Sequence, residues 1–414
     1  MSRISVAIIS SLVGKTPDTI TYSFVFDEAY RLSKRGVKVH IIRSRFENDS
    51  ISYGMHYHGL RRMVDIRAIE LFLHEFHVYP PISLLRNPAK IYWENLYASN
   101  ISKIVAKNNI DLIHAHFAYP EGFCGLIAKG KETIPLIVTI HGYELNVVPE
   151  VKYGLLLSRR YAFIVKKVLE KADLILAVSK DLCRKAKLLS DKSNVIYLPN
   201  AVDTELFYPP DSLEEKFAIR RKLFNIEEEN IVLINTRHLR PVYDHFTLLA
   251  GLAYLRKIDP KMYRRTKLVI VGDGPLRKYI ELFAYNLNVS KNLVIIGYQP
   301  RRLMPMLMRA ADIYVNTSLS EGMPLSILEA MATGLPVIST SVGGILDLIK
   351  HEENGFLIPP KDYRKLALSI QRLVKGELMH KMGKLNRYKI VGDFSIEQKL
   401  NRLIKIYENV QRCI

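Results

Sequence analysis

Residues 316–344 read Asn-Thr-Ser-Leu-Ser-Glu-Gly-Met-Pro-Leu-Ser-Ile-Leu-Glu-Ala-Met-Ala-Thr-Gly-Leu-Pro-Val-Ile-Ser-Thr-Ser-Val-Gly-Gly, and this stretch decides the fold. An apolar strand, Ile313 to Asn316, runs into a loop that carries one carboxylate, Glu321. A helix then opens, with Pro324 expected in its first turn, where a missing N–H is harmless. The helix carries a second carboxylate, Glu329, and stops at Gly334-Leu335-Pro336. A second strand, Val337 to Thr340, leads to Gly343-Gly344. Eight residues at helical rise span about 12 Å. That is roughly the reach from the sugar to the ribose of a nucleotide-sugar. The backbone at Gly322, Met323, Pro324 and Leu325 would then face the pyrophosphate, because helix N-termini favour anions.

Outward from this stretch, short apolar strands alternate with amphipathic helices, the pattern of parallel sheets. In the first half the pattern predicts strands at Ser5–Ile9, Lys38–Arg43, Leu112–Ala115, Leu136–Ile140, Leu174–Val178 and Val195–Tyr197. Helices are expected near Phe24–Arg35, Ala98–Asn108, Glu121–Lys129, Arg159–Lys171 and Lys180–Leu189. Residues 44–90 show no usable period. After a polar break, Asp211 to Asn230, strands resume at Ile231–Asn235, Lys267–Val271, Asn292–Ile296, Ile313–Asn316, Val337–Thr340 and Phe356–Ile358. The expectation is an α/β chain of two Rossmann-like, doubly wound domains, residues 1–205 and 206–394. A last helix, 395–414, would cross back to the first. Ligands of such sheets bind beyond the carboxyl ends of the strands, so the cleft between the two sheets is the expected site.

The chain of 414 residues is ample for two cores. No apolar run approaches the ~18–20 residues of a membrane span, and the N-terminal Ile4-Ser-Val-Ala-Ile-Ile-Ser10 reads as a buried strand, not a signal peptide. Cys124, Cys183 and Cys413 are odd in number and far apart, which points to a reducing, cytoplasmic setting without disulfides or zinc spacing. Lys plus Arg exceed Asp plus Glu by 60 to 41, a net charge of +19. The basic residues are dispersed with little aromatic interleaving. An anionic membrane surface is therefore a candidate partner and nucleic acid is not expected.

The run Glu321 to Thr340 resembles the E-x7-E signature of glycosyltransferase family four, retaining nucleotide-sugar-dependent enzymes of the GT-B fold. Val271-Gly-Asp-Gly-Pro275, Ala311 to Asn316 and Asn354 to Pro359 are similar to further family patterns in the second half. Ile113 to Gly122, Val138 to Gly142 and Leu198 to Asp203 match patterns in the first. The resemblance implies a metal-independent hexosyltransferase that moves a hexose from a nucleotide-sugar, a co-substrate and not a cofactor, to an acceptor hydroxyl. The acceptor would be a lipid-linked glycan, a polysaccharide or a small molecule.

By that resemblance Glu321 meets the donor hexose and Glu329 the ribose; ionised carboxylates are acceptor-only and suit paired hydroxyls. His141 would lie near the transferred sugar, and Arg237 would stabilise the leaving diphosphate. Two departures stand out. Tyr243 occupies the place of a family lysine at the donor phosphates, with Arg240 nearby. The N-terminal loop keeps a single glycine, Gly14, for approach to the donor. His116 is an expected acceptor-side residue. His114 and His116 share a strand face, but the sequence supplies no carboxylate or cysteine beside them to complete a metal site. No Asp-x-Asp triplet occurs, so donor charge is expected to meet Arg and helix N-termini. Nucleotide-sugar epimerases and sugar phosphorylases share the fold, and a non-enzymatic basic module binding nucleic acid or membrane fits the charge. The full Glu321–Glu329 block argues against each.

Overall fold

The computed structural model describes residues 4–10, 23–46, 54–62, 71–79, 87–132 and 134–412. Gly14 lies outside them. The chain forms two compact units: residues 1–145, 154–198 and 400–414 make one, and 146–153 with 199–399 the other.

The first unit is built on an eight-stranded sheet. Its strands are β1 (Ser5–Ile9), β2 (Lys38–Phe46), β3 (Gly54–Arg62), β4 (Leu71–Tyr79), β5 (Leu112–His116), β6 (Leu136–Ile140), β7 (Leu174–Ala177) and β8 (Val195–Tyr197). Their order is β3-β4-β2-β1-β5-β6-β7-β8. All neighbours are parallel except β3 and β4. β1, β5 and β6 are buried along their whole length, as continuous apolar runs in a two-sided parallel sheet must be. The strand order turns round between β1 and β5, which makes their carboxyl ends the topological switch point.

The second unit holds a six-stranded, all-parallel sheet. Its strands are β9 (Ile231–Asn235), β10 (Thr266–Val271), β11 (Leu293–Gly297), β12 (Ile313–Asn316), β13 (Val337–Thr340) and β14 (Gly355–Ile358). Their order is β11-β10-β9-β12-β13-β14. Here the switch point lies between β9 and β12, whose ends lead to Arg237 and Glu321.

Three local expectations are corrected. The unassigned segment holds β3 and β4, an antiparallel edge pair whose register shifts between Tyr57 and Leu60. That irregularity breaks the two-residue period that marks a strand. The polar break contains a helix, Leu213–Phe224. Ser212 accepts a hydrogen bond from Glu215 N at 3.1 Å, a Ser-x-x-Glu start. Its inner face is partly made by the buried Arg220, which donates to Ala310 O, Asn230 O and Asp312. A cation doing an apolar residue's work hides the helical period. Finally, Pro324 is the residue before the helix, which begins at Leu325 and ends at Ala332. Residues 321–324 therefore form a loop, and the reach from Glu321 to Glu329 is not all helical rise.

Candidate active site

The switch point of the second sheet gathers charge. β9 ends in Asn235, whose Nδ2 donates to Val315 O at 2.8 Å. Two residues on, Arg237 forms an ion pair with Glu321. Gly272 (φ +154°) makes that placement feasible: a Cβ there would collide with the Arg237 carbonyl. The Gly-Asp-Gly turn thus buttresses the loop that carries Arg237. Gly343 does the same for the other partner. It sits at φ +50°, and a Cβ would strike the Glu321 carbonyl oxygen. The Asn146 amide donates to that same oxygen at 3.1 Å, and Asn200 Nδ2 donates to Met323 O at 2.9 Å. The loop Gly322-Met323-Pro324 is thereby pinned on both sides, with Leu325 opening the helix.

Glu321 and Glu329 are buried, 8% and 5% exposed, and each meets a guanidinium. Arg301 Nη1 donates to Glu329 Oε1 at 3.2 Å. Arg301 escaped the sequence reading because it belongs to no recognisable motif and lies 28 residues from its partner. Tyr243 stands where a lysine was expected, and its ring lies 4.7 Å from the Arg237 guanidinium carbon. It contributes cation–π contact, not a second positive charge. Arg240 is exposed. The loop 241–244 is tied to 317–319 by Leu319 N to Val242 O at 2.8 Å and by Thr317 Oγ1 to Asp244 O at 2.8 Å.

His245 also escaped the sequence reading. It opens the helix His245–Ile258 behind Asp244 and is fully buried. Burial first, and then the Arg237 charge, hold its pKa down to about 3, so the ring is neutral. Neither ring nitrogen has a hydrogen-bond partner among the described residues, nor do Arg237 Nε, Asn235 Oδ1 and Ser326 Oγ. Orphaned buried polar atoms are rare in native proteins and call for an explanation. Here they accompany two carboxylates and two guanidinium groups at a helix start, a set matched to a polar, anionic ligand.

The first unit gathers imidazoles instead. β5 ends in His114-Ala115-His116, and His141 follows β6. His116 is 1% exposed, so it lies behind His141 and not on an open acceptor face. His116 Nδ1 and His141 Nε2 are 3.1 Å apart, their rings stacked at 19°. Phe117 packs 4.5 Å from His141 and holds φ +79°, an outlier for a bulky residue. The loop after His141 is clamped by Glu144, another residue the sequence reading missed. Its fully buried carboxylate accepts from Gly142 N at 2.8 Å and His141 N at 3.2 Å. Burial raises the Glu144 pKa, and these backbone N–H groups oppose the rise.

The expectation that no carboxylate lies beside the two strand histidines is overturned. Glu28, on the helix Ser23–Lys34, brings its ligand atom within 4.8 Å of those of His114 and His116. Distance along the chain concealed it. Both ring nitrogens of His114 are engaged, with Tyr407 Oη and Thr139 Oγ1, each at 2.7 Å. Ligation by His114 would have to displace one of these partners.

Two family models divide the chain: the one described as Glycosyltransferase Family 4 matches residues 23–206, and Glycosyl transferases group 1 matches residues 215–389. The putative teichuronic acid biosynthesis glycosyltransferase TuaC of Bacillus subtilis is 30% identical over 291 residues, 69% of this chain and 68% of that one. The chain belongs to glycosyltransferase family four. This family four chain is also 28% identical, over 310 residues, to the UDP-Gal:alpha-D-GlcNAc-diphosphoundecaprenol alpha-1,3-galactosyltransferase of Escherichia coli. That match covers 74% of the chain and 78% of the relative. In fold, it matches sucrose-phosphate synthase from Thermosynechococcus elongatus with a TM-score of 0.80 at 21% identity, over 100% of both chains. The expected GT-B class therefore holds. The glycosyltransferase reading holds with it, and the epimerase, phosphorylase and binding-module alternatives are not favoured.

Proposed function

We propose that this glycosyltransferase is a retaining, metal-independent hexosyltransferase whose second unit binds the nucleotide-sugar. The observation that carries the reading is the pair of buried carboxylates, each held by its own arginine, at the β9/β12 switch point. Glu321 accepts from the hexose hydroxyls and Glu329 from the ribose. Donor binding exchanges the arginine contacts of these carboxylates for hydroxyl donors and turns the guanidinium groups towards the diphosphate. Gly322, Met323 and Leu325 offer backbone N–H groups to the same charge. Arg237 stabilises the leaving diphosphate as its charge grows. Retention follows from front-face substitution, with the leaving phosphate helping to take the acceptor proton. His141 meets the transferred sugar. The names of its relatives make a UDP-linked hexose the first donor to test and a lipid-linked diphosphate sugar the first acceptor.

A lipid-linked acceptor would bring the protein to a membrane surface. No helix of the described residues is long and apolar enough to cross a membrane. On the helix Arg159–Lys171, Phe163 is 69% exposed and Lys166 and Lys167 are exposed beside it. The side chains of Arg61 and Arg62 lie outside the described residues. Peripheral attachment predicts co-sedimentation with anionic vesicles that fades with salt; equal partitioning to neutral vesicles, or none to either at low salt, would remove it.

The decisive test of the reaction is the product. Transfer in the presence of EDTA, with the new glycosidic proton assigned by NMR, should give the donor's own anomeric configuration. An inverted product, or activity lost to EDTA and restored by Mg²⁺ or Mn²⁺, would refute the corresponding part.

A further inference from the structure

The helix that carries Glu329 is short, Leu325–Ala332, and its far end is held by residues that the proposed reaction does not use. The last four carbonyls of a helix find no partner within it. Here each is met. Glu329 O accepts from Thr333 N at 3.0 Å and from Thr333 Oγ1 at 2.9 Å. Ala330 O accepts from Leu335 N and Met331 O from Gly334 N, both at 3.0 Å. Ala332 O accepts from Arg387 Nη1 at 2.9 Å. The same guanidinium donates to Phe207 O at 2.7 Å and to Thr204 O at 3.0 Å. We infer that Arg387 is a positioning residue for nucleotide binding: it fastens the Glu329 helix to the segment 199–210 and so fixes where the Glu329 carboxylate stands. This rests on the reading of Glu329 as the ribose contact.

Glu329 lies in the last turn of its helix, where the aligned peptide dipoles are negative. A carboxylate is disfavoured there and a cation is favoured. Arg301 answers the Glu329 side chain, and Arg387 sets a second guanidinium on the helix end itself. Arg387 is half-buried on the helix Leu378–Asp393. Its neighbour Asn386 is fully buried and donates to Leu335 O at 2.8 Å. Gly383, one turn earlier, lets the two helices meet, since a Cβ there would collide with the Gly334 carbonyl oxygen. The segment 199–210 is itself anchored. Asn200 donates to Met323 O ahead of the helix, Val202 pairs with Ser395, and Phe207 is fully buried. The segment therefore holds the Glu329 helix near both ends. Arginine suits this task because its planar fork carries several donors in fixed directions, whereas a lysine is a point charge. A clamp that served the fold alone would lower stability without singling out the nucleotide. A clamp that places Glu329 lowers nucleotide affinity, because binding contacts are sensitive to small displacements.

The test is a double-mutant cycle on UDP affinity, measured by calorimetry on the full chain. Arg387→Gln should weaken UDP about ten-fold in the wild-type background and by less than about two-fold in Glu329→Ala. Arg387→Lys keeps the charge and should recover part of the loss. Losses that multiply independently, or unchanged affinity in Arg387→Gln beside a weakened Glu329→Ala, would overturn the inference and leave the ribose reading intact. Unchanged affinity in Glu329→Ala would remove the ribose reading and the inference with it. Hydrogen exchange on the wild type decides where Arg387→Gln fails to fold. UDP should slow exchange at residues 333–335 and 203–208 as well as at 322–329; slowing confined to 322–329 would overturn the inference. If the wild type binds no UDP, the result counts against the proposed donor, and exchange in unliganded Arg387→Gln judges the clamp. It should quicken at residues 333–335 and not in β9 or β10; an even rise across the second unit would overturn the inference.

Discussion

The carboxyl ends of the two sheets solve different problems with different chemistry. At β9 and β12 the buried groups are charged and arranged in opposite pairs, Arg237 with Glu321 and Arg301 with Glu329. At β5 and β6 they are imidazole rings, His114 bonded to Tyr407 and Thr139, and His116 to the half-buried His141, with the Glu28 carboxylate 3.5 Å from His116. Paired charges suit a ligand that brings both hydroxyl donors and phosphate acceptors, since each half of a pair finds a new partner. That end presents imidazole rings and neither of the arginine pairs, so it offers directed hydrogen bonds in place of paired charges. The difference supports the proposal that the diphosphate is held by the second unit.

The comparison breaks first at Arg237. Arg237→Ala leaves Glu321 buried without its cation, a change worth about 3–5 kcal/mol of stability. If the diphosphate charge grows beside this residue, kcat should fall by about 10²–10³, with a smaller change in donor affinity. Steady-state kinetics on the folded variant check this; an effect confined to KM would mean Arg237 binds without assisting departure.

His245 sharpens the contrast, because it is an imidazole placed among the charges. Its folded pKa is about 3, against an ordinary value of 6.5. The unfolded chain takes up a proton that the fold refuses, so His245 costs stability as pH falls from about 6.5 towards 3. At pH 5 the difference from pH 7 should be about 2 kcal/mol. His245→Gln should lose that part of the acid sensitivity. Urea midpoints of both proteins at pH 7 and pH 5 measure it, and parallel losses would show that His245 is not held neutral.

The smallest effect is expected at Tyr243. Its ring supports Arg237 by contact worth about 0.5–1 kcal/mol. Tyr243→Ala should weaken donor binding by no more than that, and Tyr243→Lys should be tolerated or bind donor more tightly. A large loss in Tyr243→Lys would show that position 243 does not face the phosphates.

Much of this was legible in the sequence because parallel sheets announce themselves. β1, β6, β9, β12 and β13 were readable as short apolar runs. The loop from Glu321 to Gly343 is written in one continuous stretch. What stayed hidden depends on partners distant in sequence. Arg301 meets Glu329 across 28 residues, and Glu28 comes within 3.5 Å of His116 on β5 from the helix Ser23–Lys34. Glu144 was visible three residues after His141, but nothing local shows that its carboxylate turns back onto the backbone. His245 looks like an ordinary helix residue until burial and the Arg237 charge are known. The edge pair β3–β4 was lost to its register shift, and the helix Leu213–Phe224 to its buried arginine.

The central claim, that the second unit holds a nucleotide-sugar through Glu321 and Glu329, is tested most directly by calorimetric titration of UDP and UDP-hexoses in EDTA. Glu329→Ala removes the ribose acceptor and should weaken the nucleotide itself by about 1.5–3 kcal/mol, the worth of hydrogen bonds to a charged group. Glu321→Gln should leave UDP affinity nearly intact and weaken only the sugar-bearing donor. Unchanged UDP affinity in a folded Glu329→Ala variant would contradict the account.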